Sequence, residues 1–155
     1  MTQRLFHNNK NLSIYIDTNV LRNYFTGQTV DVECLRFIFS VRRKERLFTS
    51  TLAAAQTLSG LQKSNNNRKG FTKEKTIEIS KYISQKFSLI DFSESDFYKS
   101  IALESDDIED NIHYFLSQKK KCNLIITNDT KGFSNFYNII ALKPAQLSYL
   151  RNLIS

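Results

Sequence analysis

The chain has 155 residues, enough for one domain with a real hydrophobic core. Its 22 Lys and Arg against 15 Asp and Glu give a net charge of +7 and a pI near 9.4, which favours polyanionic partners: RNA, DNA or an acidic protein surface. Two cysteines exclude a disulfide framework or a cysteine zinc site. With no signal-peptide core at the start and no apolar run of membrane-spanning length, the expectation is a soluble, cytoplasmic protein with no membrane partner.

Residues 1–11 are polar and Asn-rich and read as a loosely held arm. Ile14-Tyr-Ile16 then has the β-branched content of a strand buried on both faces. It stops at Asp17-Thr-Asn19, and a helix from about Val20 to Phe25 ends at Gly27. Asp31 resembles the N-cap of a second helix, with Val32, Leu35 and Phe39 at helical spacing. Leu47-Phe-Thr49 is a short strand, and Ser50 can cap an alanine-rich third helix reaching about Gln62.

The polar, basic stretch Ser64–Gly70 is a loop. Thr72 opens a fourth helix carrying Ile79, Tyr82 and Ile83, and Phe87–Asp91 is a third strand. Ser93 with Asp96 suggests a capping box, followed by an apolar stripe of Phe97 and Ile101. Residues 105–110 lead into a sixth helix whose buried face is read as Ile108, Ile112 and Phe115. Asn123–Thr127 and Asn138–Leu142 are strands, and Pro144 sits in the first turn of a closing helix with Leu147, Leu150 and Ile154. Cys34 and Cys122 fall among apolar positions and read as buried thiols. Strands alternate with helices throughout, with no repeat and no linker, so the expectation is one α/β domain over residues 1–155, a parallel sheet layered by helices on both faces.

Three acids stand out by position. Asp17 ends the first strand, Asp129 follows the fourth, and Asp110 lies in the first turn of the helix before it. If the first and fourth strands are neighbours, all three reach the carboxyl edge of the sheet, where open α/β folds gather ligands. Carboxylates held in one cleft repel unless a cation joins them, and oxygen-only donors suit Mg2+ or Mn2+, whose chemistry includes phosphodiester hydrolysis. Each acid also has a plainer reading: Asp17 or Thr18 as a helix cap, Asp107, Glu109 and Asp110 as partners of a helix dipole, Asp129 as a turn residue.

Tyr15-Ile-Asp-Thr-Asn-Val-Leu21, Phe48-Thr-Ser-Thr-Leu-Ala-Ala-Ala-Gln-Thr-Leu-Ser-Gly60, Asp107-Ile-Glu-Asp-Asn-Ile-His-Tyr114 and Leu124-Ile-Ile-Thr-Asn-Asp129 together resemble the PIN domain, the fold of VapC-type toxin ribonucleases. The resemblance spans nearly the whole chain. It implies a three-layer α/β/α sandwich with a five-stranded parallel sheet of order 3-2-1-4-5. It also implies a Mg2+- or Mn2+-dependent endoribonuclease whose acids match Asp17, position 56, Asp110 and Asp129. Asn19 and Thr127 match the polar residues that orient the first aspartate or a water. A small antitoxin partner and a homodimer are implied as well.

One position departs from the pattern. Gln56 stands where the family usually has glutamate. A glutamine carbonyl can ligate a hard cation but is neutral and cannot serve as a base. Asp107, one turn before Asp110, adds an acid nearby. His113, three residues after Asp110, reads first as a polar surface position of its helix and second as a lining residue of the same cleft. Tyr15, Tyr24 and Tyr114 are candidates for stacking on unpaired bases, against a plainer role in the core. Two functions follow: an RNA-cleaving enzyme using Asp17, Asp110, Asp129 and Gln56, or a PIN-fold module with a weakened metal site that binds RNA or a protein without cleaving.

Overall fold

The computed structural model describes residues 12–65 and 68–154; the arm read at residues 1–11 lies outside them. Five short strands, β1 (Ile14–Ile16), β2 (Leu47–Ser50), β3 (Ser88–Ile90), β4 (Leu124–Ile126) and β5 (Ile140–Leu142), form one parallel sheet of order β3-β2-β1-β4-β5. Among the described residues seven α-helices accompany them: α1 (Thr18–Phe25), α2 (Thr29–Val41), α3 (Thr51–Gln62), α4 (Lys73–Lys86), α5 (Glu94–Ile101), α6 (Ile108–Lys119) and, after β5, α7 (Leu147–Ile154).

Strand alternation divides the core in two. Ile14 and Ile16 of β1 and Leu124 and Ile126 of β4 face one side, where they meet α1, α2, α4 and α7 through residues such as Val20, Leu35, Ile83 and Leu150. Tyr15 and Ile125 face the other, against Ile112 and Leu116 of α6. Both faces of the central strands are therefore dry, which explains why β1 and β4 read as unbroken apolar runs. Cys34 and Cys122 are buried free thiols, each pushed up to about 12 by burial and so unreactive at neutral pH.

The helix starts follow the sequence with one exception. The Ser50 and Thr72 hydroxyls accept from the Ala53 and Lys75 amides, and Ser93 with Asp96 forms a reciprocal capping box. Asp31, expected as an N-cap, lies instead inside the first turn of α2, which starts at Thr29 after Gln28. Its buried carboxylate is spent on tertiary bonds to Asn23 and Asn128.

Two apolar faces are also corrected. On α5, Phe97 and Ile101 are each 41% exposed, while Asp96 and Ser100 point inward. The Lys119 ammonium on α6 reaches the Asp96 carboxylate at 2.7 Å, so an ion pair joins the two helices where a hydrophobic stripe was expected. On α6 the buried face is Asn111, Ile112, His113, Leu116 and Ser117, and Ile108 is 54% exposed.

Helix α1 stops as the sequence predicts. Gly27 has φ +81°, its N–H donates to Tyr24 O, and the Gln28 N–H reaches back to Asn23 O, the paired bonds of a Schellman turn. A Cβ on Gly27 would meet nothing within 4 Å, so any cost of substitution is purely backbone strain. Gly27→Ala is expected to destabilise the protein by about 1 kcal/mol in urea unfolding, and Gly27→Asn by less, because Asn tolerates the left-handed region. Equal stability of wild type and Gly27→Ala would rule out the left-handed turn.

Candidate active site

Asp17 is the residue after β1, and its N–H still belongs to the ladder, donating to Ile126 O at 3.0 Å. Only 4% exposed, its carboxylate is surrounded by donors: the Thr18 amide at 2.6 Å, the Asn19 side-chain amide at 2.8 Å and the Thr127 hydroxyl at 2.7 Å. Pairing of Ile16 with Ile126 sets Asp17 and Thr127 side by side. Asn19 and Thr127, the positions expected to orient the first aspartate, both donate to its carboxylate.

The same residues hold the loop after β4. Asn19 Oδ1 accepts from the Asn128 N–H, and Thr127 Oγ1 accepts from the Asp129 N–H at 3.1 Å. The Asn128 side chain is in turn tied to buried Asp31 at 2.8 Å. These contacts fix the backbone that carries Asp129. Its carboxylate accepts from the Lys131 N–H, so it is also a turn residue, as its plainer reading had it.

Asp107 caps α6 by accepting from the Asp110 N–H. Asp110 itself packs on Gly132: a Cβ there would fall 1.4 Å from Asp110 Oδ2. Only glycine allows this approach, a role no feature of the sequence reading flagged, although Gly132 is one of just four glycines and follows Asp129 closely.

Asp17, Thr18, Asn19, Arg22, Asp107, Glu109, Asp110, His113 and Asp129 line one open cavity of about 220 Å³ at the carboxyl end of the sheet. All three sequence-predicted aspartates are thus in one cleft. A larger cavity of about 900 Å³, among α1, α2 and α4, contains none of them and has no bearing on their chemistry.

His113 corrects its first reading. It is 1% exposed, with Nδ1 bonded to the Tyr15 hydroxyl at 2.8 Å and Nε2 lying 3.5 Å from Asp17 Oδ1 and 3.7 Å from Glu109 Oε1. Burial favours the neutral ring, but the Glu109 and Asp17 carboxylates outweigh it and hold the imidazole above its ordinary value. Tyr15 is fully buried, its hydroxyl shared between His113 and Ser50, and burial raises it far above the usual phenol. Tyr24 sits in an aromatic cluster with Phe25, Phe39 and Tyr82, and Tyr114 stacks on Phe136 at 3.8 Å between ring centres. The three tyrosines are engaged in packing.

Gln56 on α3 sits at the rim. Its Oε1 accepts from the Thr18 hydroxyl at 3.0 Å and its Nε2 points to Glu109 Oε1 at 3.4 Å. From spacing alone Glu109 is only one of the acids at the positive end of a helix.

Asp110 reports the charge balance. Its carboxyl is pushed up to about 7, first by burial and then by the carboxylates of Asp107, Asp17 and Asp129, with His113 opposing. Among the described residues no group of three or more His, Cys, Asp and Glu side chains converges as a ready-made metal cage. The donor set nevertheless suits a hard divalent cation: oxygen donors, an excess of negative charge, and carboxylate oxygens with capacity for a further partner.

The family model for the PIN domain matches residues 14–139. No curated protein sequence matches the chain. Among solved structures, a toxin–antitoxin complex from Klebsiella pneumoniae aligns with TM-score 0.60 at 19% identity, covering 85% of this chain and 98% of that one. The sarcin–ricin-loop-cleaving toxin VapC20 of Mycobacterium tuberculosis aligns with TM-score 0.60 at 12% identity, over 83% and 98%. DNA-bound VapBC from Salmonella typhimurium gives 0.59 at 13%, over 86% and 98%. These likenesses establish the sheet order and helix arrangement as those of the PIN fold.

A native carboxyl raised from about 4 to about 7 contributes stability that is complete below pH 4 and is lost as pH rises through 7. In EDTA, wild type is expected to lose ~1–2 kcal/mol between pH 5 and 8, allowing for solvent screening of a half-buried group, and Asp110→Asn to lack that slope. Gly132→Ala should displace the Asp110 side chain and return its titration, followed by carboxyl NMR, toward pH 4. An Asp110 titration unchanged in Gly132→Ala would refute the close packing.

Proposed function

The chain belongs to the PIN domain family, and from that premise we propose that it is a divalent-metal-dependent endoribonuclease, the toxin of a toxin–antitoxin pair. One observation carries the reading: Asp17, Asp110 and Asp129, contributed by three separate elements, line one cleft in which burial and then the neighbouring carboxylates push the Asp110 carboxyl up to about 7.

Asp17, Asp110 and Asp129 would hold Mg2+ or Mn2+, which when bound supplies the missing positive charge, polarises a phosphodiester and eases the deprotonation of water. The protein's own part is positional. Thr18, Asn19 and Thr127 pin both oxygens of Asp17, so this carboxylate does not reorganise as charge develops. Asp31 and Asn19 hold Asn128, which keeps Asp129 on the same edge. Arg22, an exposed cation on the cleft wall, is placed to take a backbone phosphate. The basic excess of the chain adds a salt-sensitive attraction for RNA.

The toxin–antitoxin complexes among the structural neighbours support a small antitoxin protein and a second copy of the chain as partners. The larger cavity, walled by Tyr24, Phe25, Phe71 and Tyr82 and bordered by Arg36 and Lys81, suits an amphipathic protein segment. Among the described residues no helix is long and apolar enough to cross a membrane.

Gln56 favours a second reading, a PIN-fold module that binds RNA or protein without cleaving. The two separate in one assay on a mixed panel of single-stranded RNAs with Mg2+ or Mn2+. The enzyme reading expects cleavage that EDTA abolishes, that Asp17→Asn lowers by about 100-fold or more, and that weakens as salt rises. RNA retention on a filter with no cleavage under any metal would establish the binding module instead.

A further inference from the structure

We infer that Glu109 on α6 supplies the carboxylate that Gln56 on α3 lacks, so that the fourth acid of the metal site has moved from one wall of the cleft to the other. The inference rests on the metal-dependent reading above.

Gln56 cannot be the fourth anionic donor, and its carbonyl is already engaged by the Thr18 hydroxyl at 3.0 Å. What remains is the amide N–H, which points at Glu109 Oε1 at 3.4 Å. The opposite orientation of the amide would set its oxygen against a carboxylate. Glu109 therefore fixes which way Gln56 faces, and Gln56 in turn holds Glu109 over the cavity. A glutamate at position 56 would place two carboxylates at that separation, where they repel unless a cation joins them.

A second, independent observation marks the spot. His113 is 1% exposed, lies one helical turn beyond Glu109, and its Nε2 has no hydrogen-bond partner although it lines the cleft. It stands 3.5 Å from Asp17 and 3.7 Å from Glu109, so the two carboxylates flank one nitrogen. The Tyr15 hydroxyl anchors the other ring nitrogen and prevents His113 from turning away. Glu109 is thereby brought from the surface toward Asp17, and with a side chain 59% exposed it keeps the freedom to swing onto a cation. Its neighbour Asp107 is committed elsewhere, as the α6 cap.

Metal affinity, read independently of cleavage, tests this. Free Mn2+ would be followed by electron paramagnetic resonance during titration of the full chain at fixed pH. Glu109→Gln is expected to weaken binding about tenfold or more, and Gln56→Glu alone to improve it less than about threefold. The double variant Gln56→Glu with Glu109→Gln, which returns the acid to α3, should recover affinity to within about threefold of wild type. Unchanged affinity in Glu109→Gln, while Asp17→Asn loses binding, would overturn the assignment of Glu109 and leave the metal site standing. Absence of Mn2+ binding by wild type would overturn both. Melting curves in EDTA confirm that each variant is folded.

Discussion

Burying the Asp17 carboxylate at the end of the central strand would cost several kcal/mol were it not surrounded by donors, and those donors fix the rest of the cleft. Three hydrogen bonds reach it, from the Thr18 amide, the Asn19 amide and the Thr127 hydroxyl, each to a charged acceptor and so worth about 1.5–3 kcal/mol. Two of the donors lie on the same short segment as Asp17. The third comes from a strand 110 residues away and is present only because β1 and β4 are parallel neighbours with Ile16 opposite Ile126. A slip of one residue would turn Thr127 to the other face of the sheet and leave the carboxylate short of a partner.

From that anchor the order spreads outward. Asn19 serves twice, donating to Asp17 and accepting from the Asn128 backbone, so the position of the first aspartate and the course of the loop after β4 are one arrangement. Asp31, in the first turn of α2, closes the same network through the Asn128 side chain. Gly132 then leaves room for Asp110 to lie against the loop. The acids of the cleft thus come from α6, β1 and the loop after β4, and none of these elements alone presents more than part of the set.

Charge is distributed unevenly across the cleft. With Gln56 neutral, the α3 wall offers a hydroxyl-bound amide, while the α6 wall carries Asp107, Glu109 and Asp110 in its first turn, where the helix dipole also favours anions. Buried His113 balances part of this excess from beneath. The Glu109 and Asp17 carboxylates hold this imidazole above its ordinary value, and its contact draws Glu109 below the usual carboxylate range.

The sequence by itself determined the alternation of strands and helices, the positions of Asp17, Asp110 and Asp129 at element ends, the stop at Gly27 and the cap at Ser50. These are written in apolar periodicity, turn chemistry and capping, all of them local and therefore legible in order along the chain. The four motifs extended that to the sheet order. Only the tertiary structure decided the rest. Whether His113 faces water or the cleft depends on which side of α6 meets the sheet, and the charged first turn disguised that side. Asp31 looked like a cap because the partner that engages it, Asn128, is 97 residues away. Gly132, Gln56 and Glu109 acquire their roles from one close approach and from one hydrogen bond across the cleft, contacts between segments that no spacing in the sequence encodes.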